Sequence, residues 1–178
     1  MIKILAISGS LRRASSNTTL LRASIMLAPE GVEINVYGGL GDLPLFNPDL
    51  EGNEPPSVLD FRARLQESDG VLIASPEYAH GVTGAIKNAL DWLVGSGEFE
   101  NKPVALVNAS PRATHAQASL AETVTIMGGR IVAEASPTVA LLGKGLDEAG
   151  IVAHPEISGA MHAAIAAFAR AIESRRAE

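Results

Sequence analysis

The chain has 178 residues, of which 47% are hydrophobic and 19% charged, so we expect a single domain over residues 1–178 with a core of its own. The absence of cysteine excludes disulfides, thiolate nucleophiles, zinc–thiolate centres and iron–sulfur clusters. A net charge of −6 argues against nucleic acid and anionic membranes as partners, and no apolar run approaches the ~20 residues of a membrane span.

Short apolar runs alternate along the chain with stretches of helical spacing. In chain order, the pattern predicts a strand at 2–8, a helix at 16–27, a strand at 32–37, a loop at 38–56, a helix capped by Ser57, a strand at 70–75, a helix at 84–94, a strand at 103–108, a helix at 113–127, a strand at 129–133, a loop at 143–150 and a helix at 154–175. The last helix is the clearest, because one apolar stripe recurs along it: Ile157, Met161, Ile165, Phe168 and Ile172.

This alternation predicts an α/β fold made of βαβ units, with a parallel sheet covered by helices on both faces. In open sheets of this kind, ligands bind outside the carboxyl ends of the strands, near the point where the strand order reverses. A binding site is therefore expected in the loops that follow the first, third and fourth strands.

The loop after the first strand has the chemistry of a phosphate cradle. Gly9 permits a tight turn, and Arg12 and Arg13 supply positive charge within residues 1–29, which contain no acidic residue. The loop opens into the N-terminus of a helix, which attracts anions. Small polar side chains surround the turn: Ser10, Ser15, Ser16, Asn17 and Thr18. A helix cap at Ser15 or Ser16 would explain one hydroxyl but not the whole set, so the sequence favours a phosphate site.

The other two loops are suited to the edge of a flat heterocycle. After the third strand, a loop with proline, two glycines and free backbone amides places Tyr78 and His80 where they can lie near a ring. His80 as an ordinary exposed loop histidine is an equally good interpretation. After the fourth strand, Asn108 and Ser110 could reach the ring from its other side, or Ser110 could simply cap the turn into the next helix. Both interpretations remain open.

Familiar nucleotide and catalytic motifs do not occur in the sequence. Gly143-Lys144 lacks the upstream glycine and the following hydroxyl of a Walker loop, and there is no G-x-G-x-x-G fingerprint. A mononucleotide with one terminal phosphate therefore suits the first loop better than a dinucleotide. The histidines lack metal-ligand spacing, and neither G-x-S-x-G nor H-E-x-x-H is present, so we predict no metal and no acid–base catalytic residue.

Two separated stretches together carry a resemblance to a known family. The first reads Gly9-Ser10-Leu11-Arg12-x-x-Ser15-x-Asn17, and the second combines Pro76-Glu77-Tyr78 with Gly84-x-x-Lys87-Asn88-Ala89-x-Asp91-Trp92. In order and spacing they resemble the NADPH-dependent FMN reductases. This is the flavodoxin-like group that includes quinone, chromate and azo-dye reductases, and the resemblance covers essentially the whole chain.

The resemblance implies a flavodoxin-like three-layer sandwich, with a five-stranded parallel sheet in the order 2-1-3-4-5 and a non-covalently bound FMN. It implies phosphate contacts from Ser10, Arg12, Ser15, Asn17 and Thr18, and ring contacts from Pro76, Glu77, Tyr78 and Gly81. Three positions depart from the family pattern. Ala79 stands where many members have asparagine, although its backbone amide remains available. Thr83 stands where many have proline, and the third loop, 110–115, is not glycine-rich.

The expected function is that of an FMN-dependent NAD(P)H oxidoreductase. Electrons would pass from NADPH or NADH through FMN to quinone-like, flavin or other small acceptors, and the flavin would carry the chemistry. The alternative is a flavodoxin-type electron carrier, or an FMN-binding module without reductase activity. Flavodoxins usually hold the flavin ring between aromatic side chains. Of the Trp and Tyr residues of this sequence, Tyr78 alone lies in a loop expected to line the ring. The first apolar run, 4–7, is too short for a signal peptide, so we expect a cytoplasmic protein.

The resemblance also implies a homodimer or a dimer of dimers, with each flavin near the partner chain. The predicted helix 84–94 carries more large apolar residues than one buried stripe requires, which would place it at or near the interface. The competing interpretation is that segment 38–56 or 95–102 folds back within one chain and covers Trp92, through Phe46 or Phe99.

Overall fold

The computed structural model describes residues 1–177, in which strands and helices alternate as predicted. The strands are β1 (Ile2–Ser8), β2 (Val32–Val36), β3 (Gly70–Ala74), β4 (Pro103–Val107) and β5 (Arg130–Ile131). The helices are α1 (Ser16–Met26), α2 (Pro56–Glu67), α3 (Gly84–Asp91), α4 (Thr114–Ile126), α5 (Glu148–Ala153) and α6 (Pro155–Arg176). Single 3₁₀ turns lie at Leu40–Asp42, Pro48–Leu50 and Ala133–Ala135.

The strands form one parallel sheet in the order β2-β1-β3-β4-β5, which confirms the flavodoxin-like arrangement. The chain order reverses between β1 and β3, so the connections that leave these two strands diverge and open a crevice. Ser8 pairs with Ala74 at the carboxyl ends of β1 and β3. The loops that follow the two strands therefore begin side by side.

Helices cover both faces of the sheet, and this explains why its strands are almost continuously apolar. On one face, α1, α5 and α6 pack around residues such as Ile4 and Leu72. On the other, α2, α3 and α4 pack around residues such as Ile7 and Phe61. The predicted stripe of α6 is confirmed, since each of its five residues is at most 4% exposed. Within residues 1–177, no helix combines the length and apolarity needed to cross a membrane.

Four predicted boundaries are wrong by more than one residue. The predicted helix 84–94 ends at Asp91, where α3 is followed by turns. Helix α2 begins at Pro56 and is not capped by Ser57, because the fixed φ and missing N–H of proline suit the first helical position. The predicted strand 129–133 is reduced to the two residues of β5, which pair only with the start of β4. The predicted loop 143–150 contains the start of α5, whose N-cap is Asp147.

Segment 38–56 folds back over α3 and covers Trp92. The ring of Phe46 meets the indole edge-on, with centroids 5.1 Å apart, and the Trp92 Nε1–H donates to the Pro44 carbonyl at 2.8 Å. Asn88 holds the same segment, because its Oδ1 accepts from the Phe46 N–H at 2.8 Å and its Nδ2 donates to the Pro44 carbonyl at 2.9 Å. Trp92 is consequently 4% exposed. The intrachain interpretation is correct for Trp92, so this residue is not evidence for an interface.

Candidate cofactor site

A cavity of ≈ 380 Å³ opens at the carboxyl ends of β1, β3 and β4, which is within the size range of small-molecule sites. The loops that follow these three strands supply most of its wall. The lining residues are Ser10, Arg12, Ala14, Ser15, Ser16, Asn17, Ser75, Pro76, Glu77, Tyr78, Asn108, Ala109, Ser110, Arg112, Ala113 and Leu142. The cavity therefore lies where the reversal of strand order predicts a ligand site.

The N-terminus of α1 forms one end of the cavity. Ser15 is its N-cap, and the Ser15 Oγ accepts from the Thr18 N–H at 3.4 Å. Ser16 and Asn17 begin the helix, so their amides have no partner within it and carry the positive end of the helix dipole. Asn17 is 8% exposed, and its buried Oδ1 accepts no hydrogen bond from residues 1–177. This end of the cavity is suited to an anion flanked by a hydrogen-bond donor.

The charged residues on the wall are Arg12, Arg112 and Glu77. Neither arginine forms an ion pair with a carboxylate within the described residues. The Glu77 Oε2 accepts from the Ala116 N–H at 2.9 Å, in the first turn of α4. Both guanidinium groups are therefore available for charge-assisted hydrogen bonds to an anionic ligand.

Gly9 and Thr83 hold the β1–α1 loop against the β3–α3 loop. A Cβ at Gly9 would lie 2.3 Å from the Ser75 Oγ, so this close approach requires glycine. The Gly9 N–H donates to the Ala74 carbonyl at 2.8 Å, and the Gly9 carbonyl accepts from the Thr83 Oγ1 at 2.6 Å. Thr83 also caps α3, because its Oγ1 accepts from the Ile86 N–H at 3.3 Å. Proline, which many family members have at this position, has no hydroxyl with which to make either bond.

The β3–α3 loop contains a tight hairpin turn at Tyr78-Ala79-His80-Gly81, closed by hydrogen bonds of 3.1 and 2.9 Å between Tyr78 and Gly81. Ala79 and His80 have φ values of 49° and 60°, both in the left-handed region, as in a type I′ turn, which favours Asn and Gly. His80 is exposed, as expected of an ordinary loop histidine. Its ring stacks on that of His115, with the two ring centroids 4.2 Å apart.

Asn108 and Ser110 line the cavity, but their side chains chiefly shape the β4–α4 loop. Asn108 is 4% exposed; its Nδ2 donates to the Ala113 carbonyl at 3.1 Å and its Oδ1 accepts from the Ser110 N–H at 3.0 Å. The Ser110 Oγ accepts from the Arg112 N–H at 3.3 Å. The N-cap of α4 is Ala113, which has no side-chain acceptor. Glu77 supplies that acceptor from the neighbouring loop.

Most of the predicted site residues meet in this cavity, namely Ser10, Arg12, Ser15, Ser16, Asn17, Pro76, Glu77, Tyr78, Asn108 and Ser110. The Thr18 Oγ1 instead lies 2.7 Å from the Ser8 Oγ, and Ala79, His80 and Gly81 form the turn beside the cavity. Sequence reasoning missed Ala14, Ser75, Ala109, Arg112, Ala113 and Leu142. Most of them stand in the loops already singled out. Leu142 had no local signal, because it is brought in by the Leu141 N–H donating to the Ala109 carbonyl at 3.2 Å.

The sequence model of the NADPH-dependent FMN reductases matches residues 2–144, which include every lining residue of the cavity. The chain belongs to the NADPH-dependent FMN reductase family. The membership confirms the resemblance carried by the separated motifs that follow the first and third strands.

Similar proteins agree with this NADPH-dependent FMN reductase assignment. An NADPH:quinone oxidoreductase from Arabidopsis thaliana is 44% identical over 114 residues, and an NAD(P)H-dependent FMN reductase from Pseudomonas aeruginosa is 40% identical over 112 residues. Each alignment covers 61% of this chain, but only 58% and 60% of those two relatives. The chain therefore spans about three fifths of the length of the curated relatives it matches.

Solved structures extend the likeness over almost the whole chain. FerB, a flavoenzyme NAD(P)H:(acceptor) oxidoreductase from Paracoccus denitrificans, superposes with a TM-score of 0.83 at 28% identity, over 98% of both chains. A flavodoxin from the domain Archaea superposes with a TM-score of 0.64 at 13% identity, over 97% of this chain and 99% of that one. The second likeness concerns the fold alone.

Proposed function

We propose that this protein is an FMN-dependent NAD(P)H oxidoreductase that passes electrons from a nicotinamide cofactor through bound FMN to quinone-like, flavin or other small acceptors. One observation carries the proposal: the unpartnered Asn17 Oδ1 lies at the N-terminus of α1, in the same cavity wall as the unpaired Arg12. A terminal phosphate and an adjacent hydroxyl group would satisfy both residues. FMN carries these groups next to each other.

The residues of the cavity fit FMN in three parts. Arg12, Ser10 and the α1 N-terminus with Ser15 and Ser16 would hold the phosphate, and a ribityl hydroxyl would donate to the Asn17 Oδ1. Pro76 and Tyr78 would flank the ring. When bound, FMN supplies the hydride and electron transfer, so the protein's own contribution is to bind the phosphate, orient the ring and fix the loops around it.

Substitution of Arg12 tests this assignment. Arg12→Ala should weaken FMN binding roughly 10- to 150-fold, because a charge-assisted hydrogen bond contributes about 1.5–3 kcal/mol. Riboflavin, which lacks the phosphate, should bind the variant almost as it binds the wild type. Arg170→Ala is the matched control, since it removes an exposed guanidinium from α6. Absorption and fluorescence titrations measure both ligands, and wild-type protein that binds riboflavin as tightly as FMN would contradict the assignment.

An electron carrier without reductase activity is the weaker proposal. Trp92, which could have flanked a flavin ring, is buried and hydrogen-bonded to Pro44, and Tyr78 is the aromatic residue on the cavity wall. Steady-state oxidation of NADPH with a quinone acceptor distinguishes the two functions. Turnover supports the reductase, and FMN binding without turnover supports the carrier.

We also propose that the protein is at least a homodimer, with the region around α3 at the interface. The segment held by Asn88 and Trp92 presents Leu45 at 84% exposure, and Val94 beyond α3 is 67% exposed. Sedimentation equilibrium should give at least twice the 18.5 kDa of the chain, and Leu45→Asp should lower that mass without abolishing FMN binding. A wild-type mass near 18.5 kDa with FMN bound would remove this proposal.

A cytoplasmic location and a single domain over residues 1–178 complete the proposal. A location that supplies NADH and NADPH suits the proposed reaction, and cell fractionation tests it. Limited proteolysis tests the domain organisation, because one domain should yield one resistant fragment of nearly full length.

A further inference from the structure

We infer that Arg112 binds a phosphate group of the nicotinamide dinucleotide, as a second anion site distinct from the FMN phosphate site at Arg12. This inference rests on the proposed function, since it presumes that FMN occupies the cavity. It assigns the second substrate to one side of the site and gives the β4–α4 loop a role in recognising that substrate.

The topology places the two arginines on opposite flanks of the cavity. Strand β3 lies between β1 and β4, and adjacent strands are 4.7–4.9 Å apart, so the loops that carry Arg12 and Arg112 begin about 10 Å from each other. The donors suited to the FMN phosphate, Ser15, Ser16 and Asn17, all belong to the flank of Arg12. Beside Arg112, the N-terminus of α4 is already occupied in part by Glu77, whose Oε2 accepts from the Ala116 N–H.

The β4–α4 loop fixes the backbone of Arg112 but leaves its charge unpaired. The Arg112 N–H donates to the Ser110 Oγ, and the buried Asn108 side chain braces the loop on both sides of it. Within residues 1–177, no carboxylate pairs with the Arg112 guanidinium. Glu77, the acidic residue on the wall, already accepts from the Ala116 N–H. In a protein of net charge −6, this unpaired guanidinium marks a local preference for an anion.

The size of the cavity indicates which anion Arg112 meets. A volume of ≈ 380 Å³ is near the lower end of small-molecule sites, so with FMN bound in the cavity a dinucleotide must extend across the rim. Arg112 is exposed at that rim, and the stacked His80 and His115 lie in the adjoining turn and helix. A quinone acceptor has no phosphate. Loss of Arg112 should therefore affect the dinucleotide and spare the quinone.

Ligand titrations of the FMN-loaded protein test the inference, with NADP⁺ and NAD⁺ as probes. Arg112→Ala should weaken NADP⁺ binding about tenfold, the equivalent of 1.4 kcal/mol, while its affinity for FMN stays within about twofold of the wild type. Arg112→Lys should recover part of the loss, because it keeps the positive charge but not the planar set of donors. The control Arg170→Ala should bind both ligands like the wild type. In turnover, Arg112→Ala should raise the KM for NADPH and leave the KM for the quinone unchanged.

The comparison of probes locates the contact. Equal weakening of NAD⁺ and NADP⁺ identifies the shared diphosphate, and selective weakening of NADP⁺ identifies the 2′-phosphate; either outcome supports the inference. Unchanged dinucleotide affinity in Arg112→Ala overturns it, and so does a larger loss for FMN than for NADP⁺, because Arg112 would then serve the flavin. A wild type that binds no FMN overturns the proposed function as well. If Arg12→Ala weakens FMN binding but Arg112→Ala leaves NADP⁺ binding unchanged, this inference alone is overturned and the proposed function stands.

Discussion

Removal of the Thr83 hydroxyl tests whether one side chain fixes the geometry of the phosphate cradle. Thr83 is 4% exposed, and its Oγ1 joins the Gly9 carbonyl of the first loop to the Ile86 N–H of α3. Thr83→Val keeps the shape of the side chain and removes both hydrogen bonds. Thr83→Ser keeps both bonds and removes one methyl group, so it is the matched control.

The loss of folding stability in Thr83→Val follows from the two hydrogen bonds that the substitution removes. Loss of a helix N-cap costs about 1 kcal/mol, and a buried carbonyl left without a donor costs about 1–3 kcal/mol. The free energy of unfolding should therefore fall by about 2–4 kcal/mol, or roughly 4–16 °C in Tm for a chain of this size. Because the freed loop must be ordered again when FMN binds, its affinity for FMN should also fall, by about tenfold for each 1.4 kcal/mol of ordering cost.

Urea denaturation of the FMN-free protein measures the stability change, and titration with FMN measures the change in affinity. Thr83→Ser should lose about 1 kcal/mol or less, for one buried methyl group, and should bind FMN like the wild type. If Thr83→Val is as stable as Thr83→Ser, the hydrogen bonds of Thr83 contribute nothing measurable. If its affinity for FMN is unchanged, Thr83 does not hold the cradle.

Three further predictions concern the turn at Tyr78-Ala79-His80-Gly81, the pH dependence of stability and the steady-state kinetics. Ala79→Gly should raise Tm by about 2–4 °C, because glycine relieves about 1 kcal/mol of strain at φ 49°; a lower Tm in a thermal melt would contradict this. Burial alone would raise the pKa of Glu98, but hydrogen bonds from Ser96 and Arg62 outweigh it, so the pKa lies below its usual value. A carboxyl whose pKa is lowered on folding stabilises only while it is ionised, so this contribution should be complete above about pH 5 and lost as pH falls through the folded pKa. Urea denaturation from pH 7 to pH 3 checks this, and Glu98→Gln should reduce the slope. Steady-state kinetics with NADPH and a quinone should give parallel double-reciprocal lines, because in the proposed reaction one flavin face would serve both substrates in turn; intersecting lines would indicate a ternary complex instead.

The sequence by itself determined the layers of the fold and the location of the candidate site. Strands buried on both faces must be continuously apolar, and Ile2–Ser8 was bounded correctly for that reason. The stripe of α6 was recognisable because a helix that packs on a sheet needs one apolar face. The site followed from the rule that ligands bind at the carboxyl ends of parallel strands. The first loop showed its chemistry because its hydroxyls, Arg12 and the helix N-terminus are neighbours in the chain.

The tertiary structure decided what depends on partners distant in the chain. No local pattern shows that Trp92 and Asn88 hold a segment more than 40 residues earlier, or that Glu77 supplies the cap of α4. Hydroxyls and amides look alike in sequence whether they face a ligand or the fold; only the structure shows that the Thr18 hydroxyl lies beside Ser8 and that the Asn108 side chain braces the β4–α4 loop. A polar side chain must satisfy its hydrogen bonds wherever it is buried, and only the packed chain shows which neighbour does so.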